Sequence, residues 1–212
     1  MKTESLIEIL AADRTVPTMP LSRALLLGLL PAVAVSLLLY AAVLGPRHHL
    51  LAQIAEPRLL FKIVFPFAVG VCAFPMVLRL VRPGANARRY RRLLLLLALV
   101  LIAAVASELM VVPPARWEAS WIGHNARFCL VMIPGLSFAP LLATLIVLKR
   151  GAPTNPTLAG AGAGLLAAAI GATLYATHCP DDSPLFVASW YGLATLVVVI
   201  IGSIAGSKWL RW

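Results

Sequence analysis

The amino-acid sequence predicts an all-α membrane protein, a bundle of six transmembrane helices preceded by a short amphipathic helix. Three observations predict this fold class. The 212 residues are 61% hydrophobic and 12% charged, and the mean hydropathy is +0.92. Six apolar runs each have about the 20 residues that a helix needs to cross a bilayer. Basic residues gather on one side of these runs, as in polytopic membrane proteins.

The N-terminal segment 1–23 is polar enough to lie outside the membrane. Within it, residues 3–13 have the spacing of an amphipathic helix, with Leu6, Ile7 and Leu10 on one face. A helix this short is marginal alone in water, so we expect it to form against lipid headgroups, the protein's own loops or a partner.

The six predicted spans are joined by loops too short for a soluble catalytic domain. They cover residues 24–44, 59–78, 93–112, 128–148, 157–177 and 185–205, within a transmembrane domain at 24–206 and before a tail at 207–212. Gly160-x-x-x-Gly164 in the fifth span and Gly202-x-x-x-Gly206 in the sixth predict faces where helix backbones approach closely.

The distribution of basic residues predicts the orientation. With both termini cytoplasmic, thirteen basic residues lie on the inner side and four on the outer side, while Lys62 lies inside the second span. The thirteen are Lys2, Arg14, Arg23, Arg79, Arg82, Arg88, Arg89, Arg91, Arg92, Lys149, Arg150, Lys208 and Arg211; the four are Arg47, Arg58, Arg116 and Arg127. This positive-inside bias predicts six spans with N-in and C-in topology.

The net charge of +10 follows from the same bias, so we expect no direct binding to nucleic acid. Six of the inner arginines lie in the segment 79–92, which contains no acidic residue. In one interpretation, these arginines set the topology and attract anionic lipid headgroups. In the other, they form a docking surface for an acidic protein. The residues alone leave both interpretations open.

Two charged residues lie deep in the predicted spans, Lys62 in the second and Glu108 in the third. Charges in hydrocarbon are costly and usually face a partner or water. An ion pair between Lys62 and Glu108 is the simplest expectation, and snorkelling of each side chain to the interface is the alternative.

Most side chains capable of metal or redox chemistry fall on the predicted outer side. They are His48, His49, His124, His178, Cys129, Cys179, Glu118, Asp181 and Asp182. Cys129 and Cys179 lie at the same membrane depth, so we expect a redox or metal site there. His124, His178, Asp181 and Asp182 are possible auxiliary ligands. Cys72 lies mid-span, where a free cysteine is usually a small buried apolar residue.

Several of these segments resemble the NrsF family. The resemblance is carried by the segment HCPDDSP at 178–184 followed by Trp190-Tyr191, by Arg127-Phe128-Cys129, and by the N-terminal segment with Leu6-Ile7 and Leu10-Ala11-Ala12-Asp13. It covers essentially the whole chain. It implies a six-span inner-membrane anti-sigma factor whose N-terminal segment holds an extracytoplasmic-function (ECF) sigma factor, while Cys129 and Cys179 register heavy metal or oxidative stress.

Two other functions remain open from the residues. A small transporter or channel would need polar residues through several spans or a repeated half, and a membrane thiol oxidoreductase would normally carry a CxxC pair. Neither pattern is present in the sequence. We therefore expect a regulator in the lipid bilayer that is not an enzyme and has no resident cofactor, with transient heavy-metal binding possible.

Overall fold

The computed structural model describes residues 3–12, 19–48 and 50–211. These ranges contain helices joined by turns and loops, without a strand. Six of the helices are long and apolar enough to cross a membrane, which confirms the predicted fold class.

The helices are α1 (Thr3–Ala12), α2 (Leu21–Val43), α3 (Leu50–Gln53), α4 (Pro57–Leu80), α5 (Arg88–Val111), α6 (Trp117–Ile122), α7 (Ala126–Leu148), α8 (Pro156–Ala176) and α9 (Pro184–Trp209). The six spans are α2, α4, α5, α7, α8 and α9. α5 starts at Arg88 rather than at residue 93, because the arginine run continues the helix beyond the apolar core. α9 contains a π-helical turn at Val187–Tyr191, a feature that apolar periodicity does not predict.

α8 is the central helix of the bundle and packs against α4, α7 and α9. Its small residues allow this close approach. A Cβ on Gly160 would meet the backbone of Gly202 and Gly206, and a Cβ on Gly202 would meet that of Gly160 and Gly164. The predicted packing of the two glycine motifs is therefore confirmed, and each motif contacts the other.

α5 lies at the edge of the bundle. It packs along α4 and touches only the first turns of α9 closely, and Glu108 is its one buried residue. α2 packs against α7 on another side. Prolines occur inside α2, α4 and α7 without breaking them, as is common in membrane helices.

The two ends of the bundle differ in chemistry. The end formed by the last residues of α2, α5 and α8 and the first residues of α4, α7 and α9 holds Cys129 and Cys179, and we call it the thiol end. The opposite end carries the exposed basic residues of 79–92, 149–150 and 208–211, and we call it the arginine end.

The predicted N-terminal helix is present as α1. On its predicted binding face, the side chain of Ile7 is 60% exposed. The side chains of Leu6 and Leu10 lie outside the described part of the chain, as do residues 13–18 and His49.

Candidate functional site

The site centres on residues 177–183, which connect α8 to α9 and which we call the hub segment. Its first residues are fastened to the end of α2. The Tyr40 hydroxyl lies 2.6 Å from Thr177 Oγ1, and the Arg47 backbone N–H donates to Thr177 O at 3.1 Å. Nδ1 of His178 lies 2.9 Å from the carbonyl oxygen of Gly45. The last turn of α2 and the loop after it therefore fix the start of the hub segment.

α4 contributes Lys62, whose side chain is fully buried beneath the hub segment. Its ammonium donates to Cys179 O at 2.6 Å, Asp181 O at 2.8 Å and Asp182 Oδ1 at 3.0 Å. These three bonds use every proton of the ammonium, which offsets the cost of removing the charge from water. The ring of Tyr191 lies 5.8 Å from Nζ.

Asp182 lies between two cations. Besides Lys62, it accepts hydrogen bonds from Nη1 of Arg47, at 2.8 Å to Oδ2 and 3.0 Å to Oδ1. The side chain of Arg47 is only 11% exposed. The carboxylate thus neutralises one buried cation from α4 and one from the loop after α2.

The predicted ion pair between Lys62 and Glu108 is wrong. Glu108 instead lies at the start of α9, where Oε2 accepts from Ser183 Oγ at 2.7 Å and from the Leu185 N–H at 2.9 Å. Its Oε1 lies 3.7 Å from Nη2 of Arg58. The free N–H groups and positive dipole of a helix N-terminus stabilise a carboxylate, so Glu108 ties α5 to α9.

Asp181 fastens the hub segment to the start of α7. Its carboxylate accepts from the backbone N–H groups of His124 at 3.1 Å and Asn125 at 2.9 Å. The His124 ring, 93% exposed, lies 3.4 Å from the same carboxylate. Since Cys129 follows in the first turn of α7, Asp181 positions Cys129 relative to the hub segment.

The structure brings the two predicted sensor thiols together. Cys129 and Cys179 are both fully buried and both free, and the Cys129 thiol lies close enough to lower the pKa of Cys179. The rings of Tyr175 and Tyr191 pack beside them, with centroids 5.8 Å apart. Neither phenol hydroxyl has a well-aligned hydrogen-bond partner. Two adjacent thiols of this kind can form a disulfide.

The surroundings of Cys179 favour its thiolate. The hydrogen bond from the Cys129 thiol lowers the pKa of Cys179 most, and the nearby Lys62 charge lowers it further. Burial and the Asp181 carboxylate oppose these effects, and the net pKa falls from 9.0 to about 6. A lowered pKa favours the thiolate of Cys179, which is the form of cysteine that reacts as a nucleophile.

The arrangement is less suited to a many-ligand metal centre. Among the described residues, no group of three or more His, Cys, Asp or Glu side chains is arranged to hold an ion. Asp181 Oδ2 lies 4.0 Å from Cys179 Sγ, whereas His178 is engaged with Gly45. The auxiliary ligand roles of His124, His178, Asp181 and Asp182 therefore stay predictions.

Cys72 is half-buried in α4 rather than fully buried.

Sequence reasoning missed Arg47, Tyr175 and Tyr191. Arg47 is one of only four basic residues on the predicted outer side, which is a signal that it has a specific partner. Tyr191 belongs to a short motif shared with the resembled family, but its contact with the thiols depends on the π-helical turn.

Comparison with known proteins identifies the family of this chain. Residues 10–212 match the family NrsF, described as negative regulator of sigma F. The chain is 35% identical over 215 residues to a probable anti-sigma-F factor NrsF from Azospira oryzae. It is 34% identical over 218 residues to the anti-sigma-F factor NrsF of Caulobacter vibrioides. Both alignments cover 100% of each chain, and no solved structure matches. The chain therefore belongs to the NrsF family of negative regulators of sigma F.

Proposed function

We propose that this chain is an anti-sigma factor that holds an ECF-type sigma factor at the cytoplasmic face of the inner membrane. It releases the sigma factor when Cys129 and Cys179 react with an oxidant or a heavy metal on the outer side. Membership of a family of negative regulators supports the first part. One observation carries the second part. Cys179 belongs to the hub segment, and this segment forms hydrogen bonds to α2, α4, α5 and the loop before α7.

Disulfide formation is the reaction that the geometry supports best. The Cys179 thiolate attacks hydrogen peroxide, the O–O bond breaks, and hydroxide leaves as Cys179 becomes a sulfenic acid. The Cys129 sulfur then attacks the Cys179 sulfur, the S–S bond forms, and the hydroxyl group leaves with the thiol proton of Cys129 as water. A thiophilic metal ion bridging the two thiolates is the alternative chemistry.

A change at the thiols can reach the N-terminal segment through helices that pack against each other. The Cys179 carbonyl is held by Lys62, so movement of Cys179 disturbs a fully buried charge. Cys129 starts α7, and α7 packs against α2 along the bundle. α2 follows the N-terminal segment directly. We infer that the relative movement of α7 and α2 transmits the signal, a coupling that needs its own test.

The binding face that we propose for the sigma factor consists of Leu6, Ile7 and Leu10 on α1. The exposed side chain of Ile7 is available to a partner. Burial of such side chains contributes about 1.5–3 kcal/mol each before ordering costs. Leu6→Asp/Leu10→Asp should relieve repression of the target promoter, while the amount of the protein in the membrane stays the same. Full repression by a normally inserted double variant would exclude this face.

The sensor is tested by serine substitution. Cys129→Ser and Cys179→Ser should each reduce induction of the sigma-dependent promoter by oxidant or metal, and the double variant should add little to either. Cys72→Ser is the matched control and should respond like the parent. Co-purification of the sigma factor from solubilised membranes measures its release directly. Normal induction in the double variant would refute the sensor and leave the anti-sigma assignment intact.

A further inference from the structure

α5 packs loosely on the rest of the bundle, and Glu108 near the thiol end is its one buried residue. Glu108 and contacts with the first turns of α9 connect this end of α5 to α9. The main packing partner of α5 is α4. A crevice lies between α5 and α8.

The crevice has apolar walls. One cavity of about 240 Å³ lies between α5 and α8, with Leu97, Ala98 and Leu165 in its walls. A second cavity of about 290 Å³ shares Leu165 and has Arg91 in its wall. This wall is apolar, so Arg91 contributes the aliphatic part of its side chain and the guanidinium lies outside the cavity. An apolar cavity beside such a charge matches a molecule with a long hydrocarbon chain and an anionic head.

The charges at the arginine end agree with such a ligand. Arg88 lies one turn before Arg91 on the same face of α5, and both side chains are exposed. Within the described part of the chain, the ion pairs found do not involve either arginine. Their charge is thus available to a phosphate, for which a guanidinium offers paired donors.

We propose that this crevice binds one anionic glycerophospholipid, with an acyl chain between α5 and α8 and the phosphate on Arg91 and Arg88. The acyl chain fills space that would otherwise leave the apolar walls without packing partners. The headgroup lies at the start of α5, level with the headgroups of the surrounding bilayer. The positive-inside rule accounts for basic loops in general, but it does not require Arg91 to line an apolar crevice.

Thermal unfolding of the purified full-length protein in an uncharged detergent tests the site. Phosphatidylglycerol at saturation should raise the Tm by about 5–10 °C. Phosphatidylcholine with the same acyl chains should raise it much less, and inorganic phosphate should leave it unchanged. An equal response to phosphatidylcholine would refute a site for an anionic headgroup. An equal response to inorganic phosphate would refute a lipid site.

Two pairs of variants locate the site. Arg91→Gln should weaken phosphatidylglycerol binding about fivefold, the change expected from one basic side chain worth about 1 kcal/mol at an anionic surface. Arg150→Gln, an exposed basic residue of the same end, should not. Ala98→Phe should abolish the lipid response by filling the crevice, whereas Ala103→Phe on another face of α5 should retain it. Unchanged binding in Arg91→Gln, or an equal loss in Arg150→Gln, would refute the assignment even if Ala98→Phe fails to fold.

Discussion

Two requirements meet at Cys179, whose carbonyl oxygen stabilises a buried cation while its sulfur takes part in the thiol pair. The carbonyl lies 2.6 Å from Lys62 Nζ, and the Cys129 thiol lies close enough to lower the pKa of the sulfur. Because both atoms belong to one residue, we expect a new bond at sulfur to disturb the carbonyl that holds the ammonium.

The reactivity of Cys179 should follow its lowered pKa. Only the thiolate is nucleophilic, and the pKa lies at about 6 instead of 9.0. The alkylation rate of Cys179 should therefore be half-maximal near pH 6, fall below that pH as the sulfur is protonated, and remain constant through pH 9. Site-resolved mass spectrometry after timed alkylation of the detergent-solubilised Cys72→Ser protein measures this profile.

Two substitutions of the neighbouring thiol test the cause of that pKa. Cys129→Ala removes the hydrogen-bond donor, so the midpoint of the alkylation profile should move upward. Cys129→Ser retains a donor, so its midpoint should remain well below 9. A parent profile centred near pH 9 would show that the pair does not stabilise the thiolate.

Asp182 is the residue on which the buried cations depend. Asp182→Asn leaves the fully buried ammonium of Lys62 without a carboxylate to neutralise it, and it removes the carboxylate from Arg47. Loss of one partner from a buried ion pair costs about 3–5 kcal/mol, so the Tm in detergent should fall on the order of 10 °C. Glu56→Gln, an exposed acidic residue of the same end, is the control. A parent-like Tm for Asp182→Asn would mean that water reaches Lys62.

At the scale of helices, the contact between α8 and α9 depends on the absence of side chains. A Cβ on Gly202 would lie 3.0 Å from Gly164 Cα and would overlap the carbonyl oxygen of Gly160. Gly202→Leu must therefore separate two backbones and should destabilise the bundle by at least about 1–3 kcal/mol. The expected measurement is a lower Tm and less protein in the membrane.

Gly135 provides the comparison, because a Cβ there would meet nothing within 4 Å. Gly135→Leu adds the same side chain to a helix of the same bundle and should leave the Tm near that of the parent. If Gly202→Leu and Gly135→Leu behaved alike, the glycine contact would not hold α8 and α9 together.

The predictable part of the fold consists of local features. Each span follows from the hydropathy of its own residues, and the glycine faces follow from a four-residue spacing. The partners of Lys62 could not be predicted, because Asp182 lies far along the chain and reaches the ammonium only after five spans have packed. Glu108 was assigned to the wrong partner for a related reason, since the N–H groups that bind it appear only once α9 has formed.

At the scale of the whole molecule, one end carries the reactive pair and the other carries the basic residues. The hub segment joins the spans or adjoining loops at the thiol end, while α5 lies at the edge of the bundle. In the proposed mechanism, a signal at the thiols and a partner at the opposite end are separated by the full length of the helices. Such regulation requires the helices to move as units.

The orientation of the bundle decides which compartment the thiols face. The basic residues of 79–92 favour retention on the cytoplasmic side, so reporters fused after Asn86 and Ala152 should be active only as cytoplasmic reporters. Reporters fused after Ala55 and Ser120 should be active only as extracytoplasmic ones. Alkaline phosphatase and green fluorescent protein fusions measure the two outcomes at each site. A cytoplasmic signal after Ala55 or Ser120 would put the thiol end inside the cell, where reducing conditions oppose a stable disulfide, and the proposed sensor would lose its signal.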